Sequence, residues 1–122
     1  AELAPSDVAT QFELGNMLIS QKDFSGALPH LEVANALQPN TPRMLAALGY
    51  TWFNLGDNQN AKTFLEQAVK LAPTFALAWF HLGNAQLGLG DRNGASDSFT
   101  VAVQLQPTFT AAKDALSKLN GR

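Results

Sequence analysis

Two histidines and a series of three aspartates are the residues whose types could support chemistry. His30 and His81 are the only histidines of the 122-residue chain, and neither has a second histidine at metal-ligand spacing. Neither is accompanied by the serine and aspartate arrangement of a nucleophilic triad. Asp23, Asp57 and Asp91 recur every 34 residues, and such carboxylates accept backbone hydrogen bonds at helix starts. We interpret the aspartates as turn chemistry and His81 as a partly exposed helix residue. We expect no enzyme activity and no cofactor-binding or metal-binding residue.

The composition argues against further classes of function. The absence of cysteine excludes thiolate zinc sites, iron–sulfur clusters and thiol nucleophiles. Eight Lys and Arg stand against ten Asp and Glu, a net charge of −2, so no basic excess is available for a nucleic-acid backbone. No apolar run approaches the roughly 18 residues of a membrane span. We expect neither a nucleic-acid partner nor membrane insertion, and the composition is compatible with the cytoplasm and the periplasm alike.

A 34-residue repeat runs through the chain. The interval relates seven positions, each filled three times by one residue type, and a repeat of this length indicates stacked supersecondary units. Besides the three aspartates, the positions are Leu14, Leu48 and Leu82; Gly15, Gly49 and Gly83; Ala27, Ala61 and Ala95; Ala34, Ala68 and Ala102; Leu37, Leu71 and Leu105; and Pro39, Pro73 and Pro107.

Each unit is predicted to be a pair of helices joined by a tight turn. Apolar residues recur at helical spacing over 7–20 and again over 24–37, and a proline follows the second stretch. The residues after the prolines, Asn40, Thr74 and Thr108, are of N-cap type. The predicted order is therefore helix, turn, helix and proline stop in every unit.

The repeated glycine falls inside the first helix of each unit. Glycine in a helix costs about 1 kcal/mol relative to alanine, so three in phase predict a compensating contact. We expect Gly15, Gly49 and Gly83 to let the second helix approach closely through its repeated alanine, with a small residue facing a small one.

The two ends of the chain differ from the repeats. Residues 108–120 have first-helix character, but Ser117 stands where the glycine should be, which predicts a capping helix without a partner. At the other end, Leu3 and Pro5 fall in the positions that close a unit. Residues 1–5 are therefore interpreted either as the last turn of a preceding repeat, in a chain cut from a longer protein, or as an ordinary lead-in.

The sequence resembles the tetratricopeptide repeat (TPR) family, whose pattern is W-x2-L-G-x2-Y, then A-x3-F, then P. The resemblance implies an all-α, helix-turn-helix repeat solenoid that forms a right-handed superhelix. It divides a single domain, 1–122, into repeats at about 6–39, 40–73 and 74–107 and a capping helix at about 108–120. Gln11 and Gln86 depart from the pattern at bulky core positions. The second copy carries the pattern best, as Leu45-x2-Leu48-Gly49-x2-Trp52, Ala61-x3-Leu65 and Pro73.

In this family the first helices line a concave groove that binds partners, and the resemblance places the groove here residue by residue. Aromatic and aliphatic side chains interleave with asparagines in these positions, which favours recognition of a peptide segment. The alternative is that Phe12, Phe53 and Phe80 only pack between neighbouring repeats. The expected groove residues are Phe12, Asn16, Ile19, Arg43, Tyr50, Phe53, Asn54, Leu77, Phe80, Asn84 and Leu87.

One subclass of the family binds acidic C-terminal tails of chaperones through a clamp of Lys, Asn, Asn, Lys and Arg. The matching positions hold Phe12, Asn16, Ala47, Leu77 and His81, and only Asn16 fits. We therefore expect a non-enzymatic protein–protein interaction module of the scaffold, assembly-factor or co-chaperone type. Its partner is expected to be an apolar or amphipathic segment rather than an acidic one. Two alternatives stay open: a self-associating structural array, or the targeting domain of a larger protein.

Overall fold

A computed structural model describes residues 7–121 of the protein, and this part of the chain folds into seven α-helices without a β-strand. The all-α helical-repeat prediction is thereby confirmed, whereas the interpretation of residues 1–5 lies outside the described residues. The helices are α1 (Val8–Ser20), α2 (Phe24–Leu37), α3 (Pro42–Asn54), α4 (Asn58–Leu71), α5 (Ala76–Gly88), α6 (Arg92–Leu105) and α7 (Thr110–Leu119).

The helices pack as consecutive pairs. Helix α1 packs against α2, α3 against α4 and α5 against α6, while each second helix also contacts the first helix of the next pair. The large side chains that pack between the two helices of each pair occupy the same position of the repeat. They are Leu31, Leu65 and Phe99, and all three are completely buried. The first helices also contact one another, α1 with α3 and α3 with α5, so they form one continuous face. We call the face formed by α1, α3, α5 and α7 the inner surface.

The repeated aspartates are the N-caps of the second helices, which confirms their interpretation as turn chemistry. In Asp23, Asp57 and Asp91 an Oδ1 atom accepts a hydrogen bond from the backbone N–H three residues later, at 3.0, 3.0 and 2.9 Å. Each bond satisfies one of the N–H groups that lack a partner in the first turn of a helix. The tight turn between paired helices therefore has the same structure in all three units.

Replacing Asp57 by alanine is expected to lower the free energy of unfolding by about 1 kcal/mol, because the first turn of α4 loses its cap. The carboxylate also accepts a 2.7 Å bond from the side chain of Asn60. Asp57→Asn is the matched control, since asparagine keeps an acceptor oxygen and caps helices nearly as well. Urea denaturation of both variants measures the difference, and an alanine variant as stable as the asparagine variant would contradict the assignment.

The N-caps predicted for the first helices, Asn40, Thr74 and Thr108, are wrong by one residue. Helices α3, α5 and α7 are instead capped by the following residue, and none of these caps forms a side-chain hydrogen bond to the helix. The observed N-caps are Thr41, Phe75 and Phe109.

Packing explains two of these displaced caps. Phe75 packs against the core formed by α3, α4 and α5, and the ring of Phe109 lies 5.0 Å from the ring of Phe80. Full burial of a phenylalanine side chain stabilises by about 1.5–3 kcal/mol, so the partial burial of these two rings offsets the roughly 1 kcal/mol of a capping hydroxyl. At the start of α3 the first helical residue is Pro42, whose ring presets the helical φ and whose missing N–H needs no partner.

The expected contact of small residue against small residue is wrong in detail. The groups that occupy the space above the glycines are large side chains, four residues after the repeated alanines. A methyl group at Gly15, Gly49 or Gly83 would lie 2.6, 2.5 or 2.5 Å from atoms of Leu31, Leu65 or Phe99, respectively. The missing side chain of each glycine therefore leaves a space that a large side chain of the second helix fills.

The two glutamines at bulky core positions have polar partners on the facing helices. The side-chain oxygen of Gln11, which is 7% exposed, lies 2.7 Å from Nδ1 of His30. The side-chain oxygen of Gln86 accepts a 2.6 Å hydrogen bond from the hydroxyl of Ser98. Buried polar groups are tolerated when they are hydrogen-bonded, so both departures from the family pattern are compensated locally.

Helix α7 packs against α6 and ends as the sequence predicts. Asn120 is its C-cap, and Gly121 adopts a left-handed conformation with a φ of 77°. The guanidinium of Arg92 donates a 2.7 Å hydrogen bond to the backbone carbonyl of Leu119, one of the carbonyls left unpaired at a helix end. Within residues 7–121 no helix combines the length and hydropathy required to cross a membrane.

Candidate functional site

A cavity of about 430 Å³ lies on the inner surface where α1, α3 and α5 meet. Its size falls within the range of roughly 300–1,000 Å³ that is usual for ligand pockets. Three consecutive pairs contribute to it, so the cavity exists only when the repeats are stacked. We call it the central cavity, and its lining residues are Phe12, Asn16, Ile19, Arg43, Ala46, Ala47, Tyr50, Phe75, Leu77 and His81.

Helical spacing brings these side chains to one side. On α5, Leu77 and His81 are four residues apart and therefore lie one above the other on the same face. On α3, Ala46 and Tyr50 have the same spacing. Gly49 instead faces Leu65 of the paired helix, and Leu48 packs with α2 of the preceding pair. The cavity adjoins the repeat core, since Ala46 belongs to the core and also lines the cavity.

Contacts with aromatic rings position several of the side chains that line the central cavity. The ring of Tyr50 lies 4.6 Å from that of His81 and 5.8 Å from that of Phe24, which it meets edge to face. The guanidinium carbon of Arg43 lies 5.5 Å from the ring centroid of Phe12. Such a cation–π contact stabilises by about 0.5–1 kcal/mol at an exposed site. Among the described residues that line the cavity, the only fixed charge is therefore engaged with an aromatic face.

His81 is a partly exposed residue of α5, as the sequence predicts, and its ring forms part of the cavity wall. Its ring packs between Tyr50 and Phe80, at centroid distances of 4.6 and 5.7 Å. Burial lowers the pKa of His81 from 6.5 to about 4, because desolvation disfavours the charged form. The imidazole is consequently neutral at pH 7 and adds polarity but no charge to the cavity.

The structure brings six of the eleven expected groove residues together in the central cavity, namely Phe12, Asn16, Ile19, Arg43, Tyr50 and Leu77. Three more, Phe53, Asn84 and Leu87, line a second cavity of about 450 Å³ between the α3–α4 turn and α5. We call this second cavity the turn cavity.

Phe80 and Asn54 line neither cavity. The ring of Phe80 lies 5.8 Å from that of Phe99 and 5.0 Å from that of Phe109, so it fills the space between the last helices. The side-chain amide of Asn54 donates a 2.8 Å hydrogen bond to the carbonyl of Tyr50 on its own helix. For Phe80 the structure favours the packing alternative, whereas Phe12 and Phe53 both pack against the core and face a cavity.

Four residues that line the central cavity are absent from the eleven expected groove residues: Ala46, Ala47, Phe75 and His81. Ala47 and His81 occupy positions that match the carboxylate clamp, so the resemblance carried a signal for them. Ala46 occupies the same repeat position as Phe12 and Phe80, so the resemblance places it in the groove as well. Phe75 precedes its helix, and only the packing of α5 on the core places it at the cavity.

The sequence model of the tetratricopeptide repeat matches residues 42–75 and 76–109, which together are more than half of the chain. The chain belongs to the tetratricopeptide repeat family. No curated protein sequence matches it.

Solved structures of TPR domains have the same fold. The first TPR domain of Spaghetti (RPAP3), bound to the HSP90 peptide SRMEEVD, is 19% identical with a TM-score of 0.90 over 98% of this chain and 94% of that one. The Sgt2 TPR domain from Aspergillus fumigatus is 23% identical, with a TM-score of 0.86 over 98% and 80%. The Arabidopsis OM64 TPR domain is 21% identical, with a TM-score of 0.90 over 94% and 95%. At these identities the likeness establishes the fold alone.

Proposed function

We propose that the chain is a protein-interaction module that binds a segment of another protein on its inner surface. The observation that carries the proposal is the central cavity, which is built by three consecutive first helices and lined mainly by aromatic and aliphatic side chains. Leu77 contributes to this lining while 46% exposed, so an apolar side chain is available to a ligand. The proposed role is one of recognition and requires no chemistry on the partner.

The character of the lining supports an apolar anchor in the partner rather than a charged one. Arg43 is stacked on Phe12, and His81 is neutral because burial lowers its pKa to about 4. A charged side chain that entered the cavity would lose its hydration without gaining a full ion pair, which is costly. A bulky apolar side chain would instead add buried area at roughly 25 cal/mol per Å².

The TPR domain of Spaghetti is bound to an HSP90 peptide that ends in acidic residues. At the positions that match the carboxylate clamp, Phe12, Leu77 and His81 stand in place of its three cations, and Ala47 stands in place of an asparagine. All four side chains line the central cavity and none carries a charge at pH 7. The shared fold therefore supports peptide binding, and the different lining supports a different peptide.

Asparagine side chains supply the polar contacts of the proposed interface. Asn16 lines the central cavity and Asn84 the turn cavity. A primary amide can both donate to and accept from a peptide backbone, so such contacts orient a segment without reading its sequence. Affinity would then come from the apolar anchor and orientation from the amides.

Leu77→Asp is expected to weaken binding of the partner at least about ten-fold, because it places a charge in the apolar cavity and removes part of an interface anchor. Leu71→Asp is the matched control, since Leu71 is 48% exposed but lines none of the inner-surface cavities. The partner is identified by affinity capture from the native source with mass spectrometry. Its affinity for each purified variant is then measured by isothermal titration calorimetry.

The two variants separate binding from folding. Both leucines are about half exposed, so neither substitution creates a buried charge and both variants are expected to keep the circular dichroism of the parent chain. Undiminished binding by Leu77→Asp, or equal losses in the two variants, would show that the partner uses a different surface.

A further inference from the structure

The inner surface has a third cavity, at its C-terminal end. This cleft of about 480 Å³ lies between α5 and α7, and we call it the terminal cleft. It shares Asn84 and Leu87 with the turn cavity, so the two are continuous along α5. Its charged lining residues are Arg92, Asp114 and Lys118.

Cations outnumber carboxylates in the lining of the three inner-surface cavities. Among residues 7–121, the charged lining residues are the cations Arg43, Arg92 and Lys118 and the carboxylate Asp114. The whole chain nevertheless has a net charge of −2. The other carboxylates within residues 7–121 lie outside these cavities. Cavities lined by more cations than carboxylates on an acidic protein complement a partner that carries negative charge.

One cation of the terminal cleft, Arg92, is held in place and keeps donors for a ligand. One Nη atom of Arg92 donates to the carbonyl of Leu119, which fixes the guanidinium at the cleft and leaves its other N–H groups available. Within the described part of the chain, neither Arg92 nor Lys118 forms a salt bridge with Asp114. The cleft therefore combines apolar side chains with two cations and one carboxylate, whereas the central cavity is mainly apolar.

We infer that the partner segment is bipartite: a bulky neutral side chain enters the central cavity, and an acidic side chain nearby in sequence meets Arg92 and Lys118 in the terminal cleft. This inference rests on the proposed function and specifies the ligand of the same surface. It differs from recognition of a terminal carboxylate, because the cations lie on α6 and α7 rather than at the positions that match the clamp. An acidic residue within the partner segment is sufficient for the contact with Arg92 and Lys118.

The geometry of α5 sets the spacing between the two determinants. Leu77 lines the central cavity and Leu87 the terminal cleft, and ten residues of α-helix span about 15 Å. An extended peptide advances about 3.3 Å per residue, so about four or five residues cover this distance. The acidic residue is therefore expected roughly three to six positions from the apolar anchor.

A library of random dodecapeptides displayed on phage, selected on the immobilised 122-residue chain, tests the inference without knowledge of the native partner. Enriched peptides are expected to combine Phe, Trp, Leu or Met with Asp or Glu at the stated spacing. In a synthetic peptide of the enriched type, exchange of the acidic residue for lysine is expected to weaken binding by about ten-fold, as measured by fluorescence anisotropy. Binding should also weaken as the salt concentration rises.

Matched variants assign the acidic contact to the terminal cleft. Lys118→Glu is expected to weaken binding of the acidic peptide by about five-fold. Lys113→Glu should leave it unchanged, because Lys113 is exposed on the same helix but lines none of the three cavities. Arg92→Gln removes the second cation while keeping amide donors, and circular dichroism checks that α7 remains folded in each variant.

The outcomes distinguish this inference from the proposed function. Enrichment of apolar peptides without acidic residues, or binding that Lys118→Glu leaves unchanged, would overturn the bipartite ligand and leave the interaction module intact. Enrichment of basic peptides would overturn it as well. A selection in which the parent chain enriches no peptide beyond those retained by Leu77→Asp would overturn both.

Discussion

Replacing Phe99 by alanine is expected to lower the free energy of unfolding by about 3–5 kcal/mol, the usual cost of removing a large aromatic side chain from a core. Phe99 is completely buried, faces Gly83 across the third helix pair and lies 5.8 Å from the ring of Phe80. Its loss would leave a cavity that the neighbouring helices can only partly fill. Leu105→Ala, on the same helix but 38% exposed, is the control and should cost less than half as much.

Gly83, which faces Phe99, allows the opposite test, in which a side chain is added at this contact rather than removed. Alanine favours a helix by about 1 kcal/mol over glycine, so propensity alone predicts that Gly83→Ala stabilises the chain. A methyl group there would lie 2.5 Å from Cε1 of Phe99, however, so we expect a net loss of about 1–3 kcal/mol. Adding Phe99→Ala removes the clash, so the double variant should be more stable than the sum of the two changes predicts. Strict additivity in urea denaturation would refute the contact.

The second large effect is a pH dependence of stability that originates from His81. Burial lowers the pKa of His81 to about 4 in the folded chain, whereas an unfolded histidine titrates near 6.5. The stabilisation from keeping this ring neutral is therefore complete above pH 6.5. It is lost as the pH falls from 6.5 towards 4, because the unfolded chain takes up the proton first. The expected loss at the lower end is at most about 3 kcal/mol.

Urea denaturation between pH 7 and pH 4 measures this loss against the variant His81→Gln, which has no titrating ring at that position. The carboxylates titrate in both proteins, so the difference between their curves isolates the histidine. The parent chain should lose stability relative to the variant over this interval. Two curves that remain parallel across the whole range would show that His81 is not desolvated as the structure describes.

Features that depend on neighbouring residues in the chain could be predicted from the sequence. An aspartate caps the helix that begins after it, so the three repeated aspartates identified the starts of the second helices. Pro42 begins α3 because its fixed φ suits the first turn. The N-caps of α5 and α7 are displaced to Phe75 and Phe109, whose packing against residues of other helices offsets the capping that Thr74 or Thr108 would supply.

The candidate site was predictable to the extent that one helix face specifies it. Helical spacing and the family resemblance placed Phe12, Tyr50 and Leu77 on a common surface, and all three line the central cavity. Phe80 sits on the same face by its spacing, yet its ring fills the gap towards Phe99 and Phe109 instead. The direction of a side chain at such a boundary depends on which neighbour offers it buried area, and that information is distributed over several helices.

The sequence by itself determined that this chain is a stack of helix pairs, because a 34-residue period with glycine, aspartate and proline in phase constrains each unit locally. Only the tertiary structure decided what each unit contributes to the shared surface. Stacking of the helix pairs forms the apolar central cavity and the terminal cleft with its two cations. Burial lowers the pKa of His81, so its ring lines the central cavity in the neutral form. Cavity shape and desolvation are collective properties, since they arise from contacts between residues that are far apart in the chain.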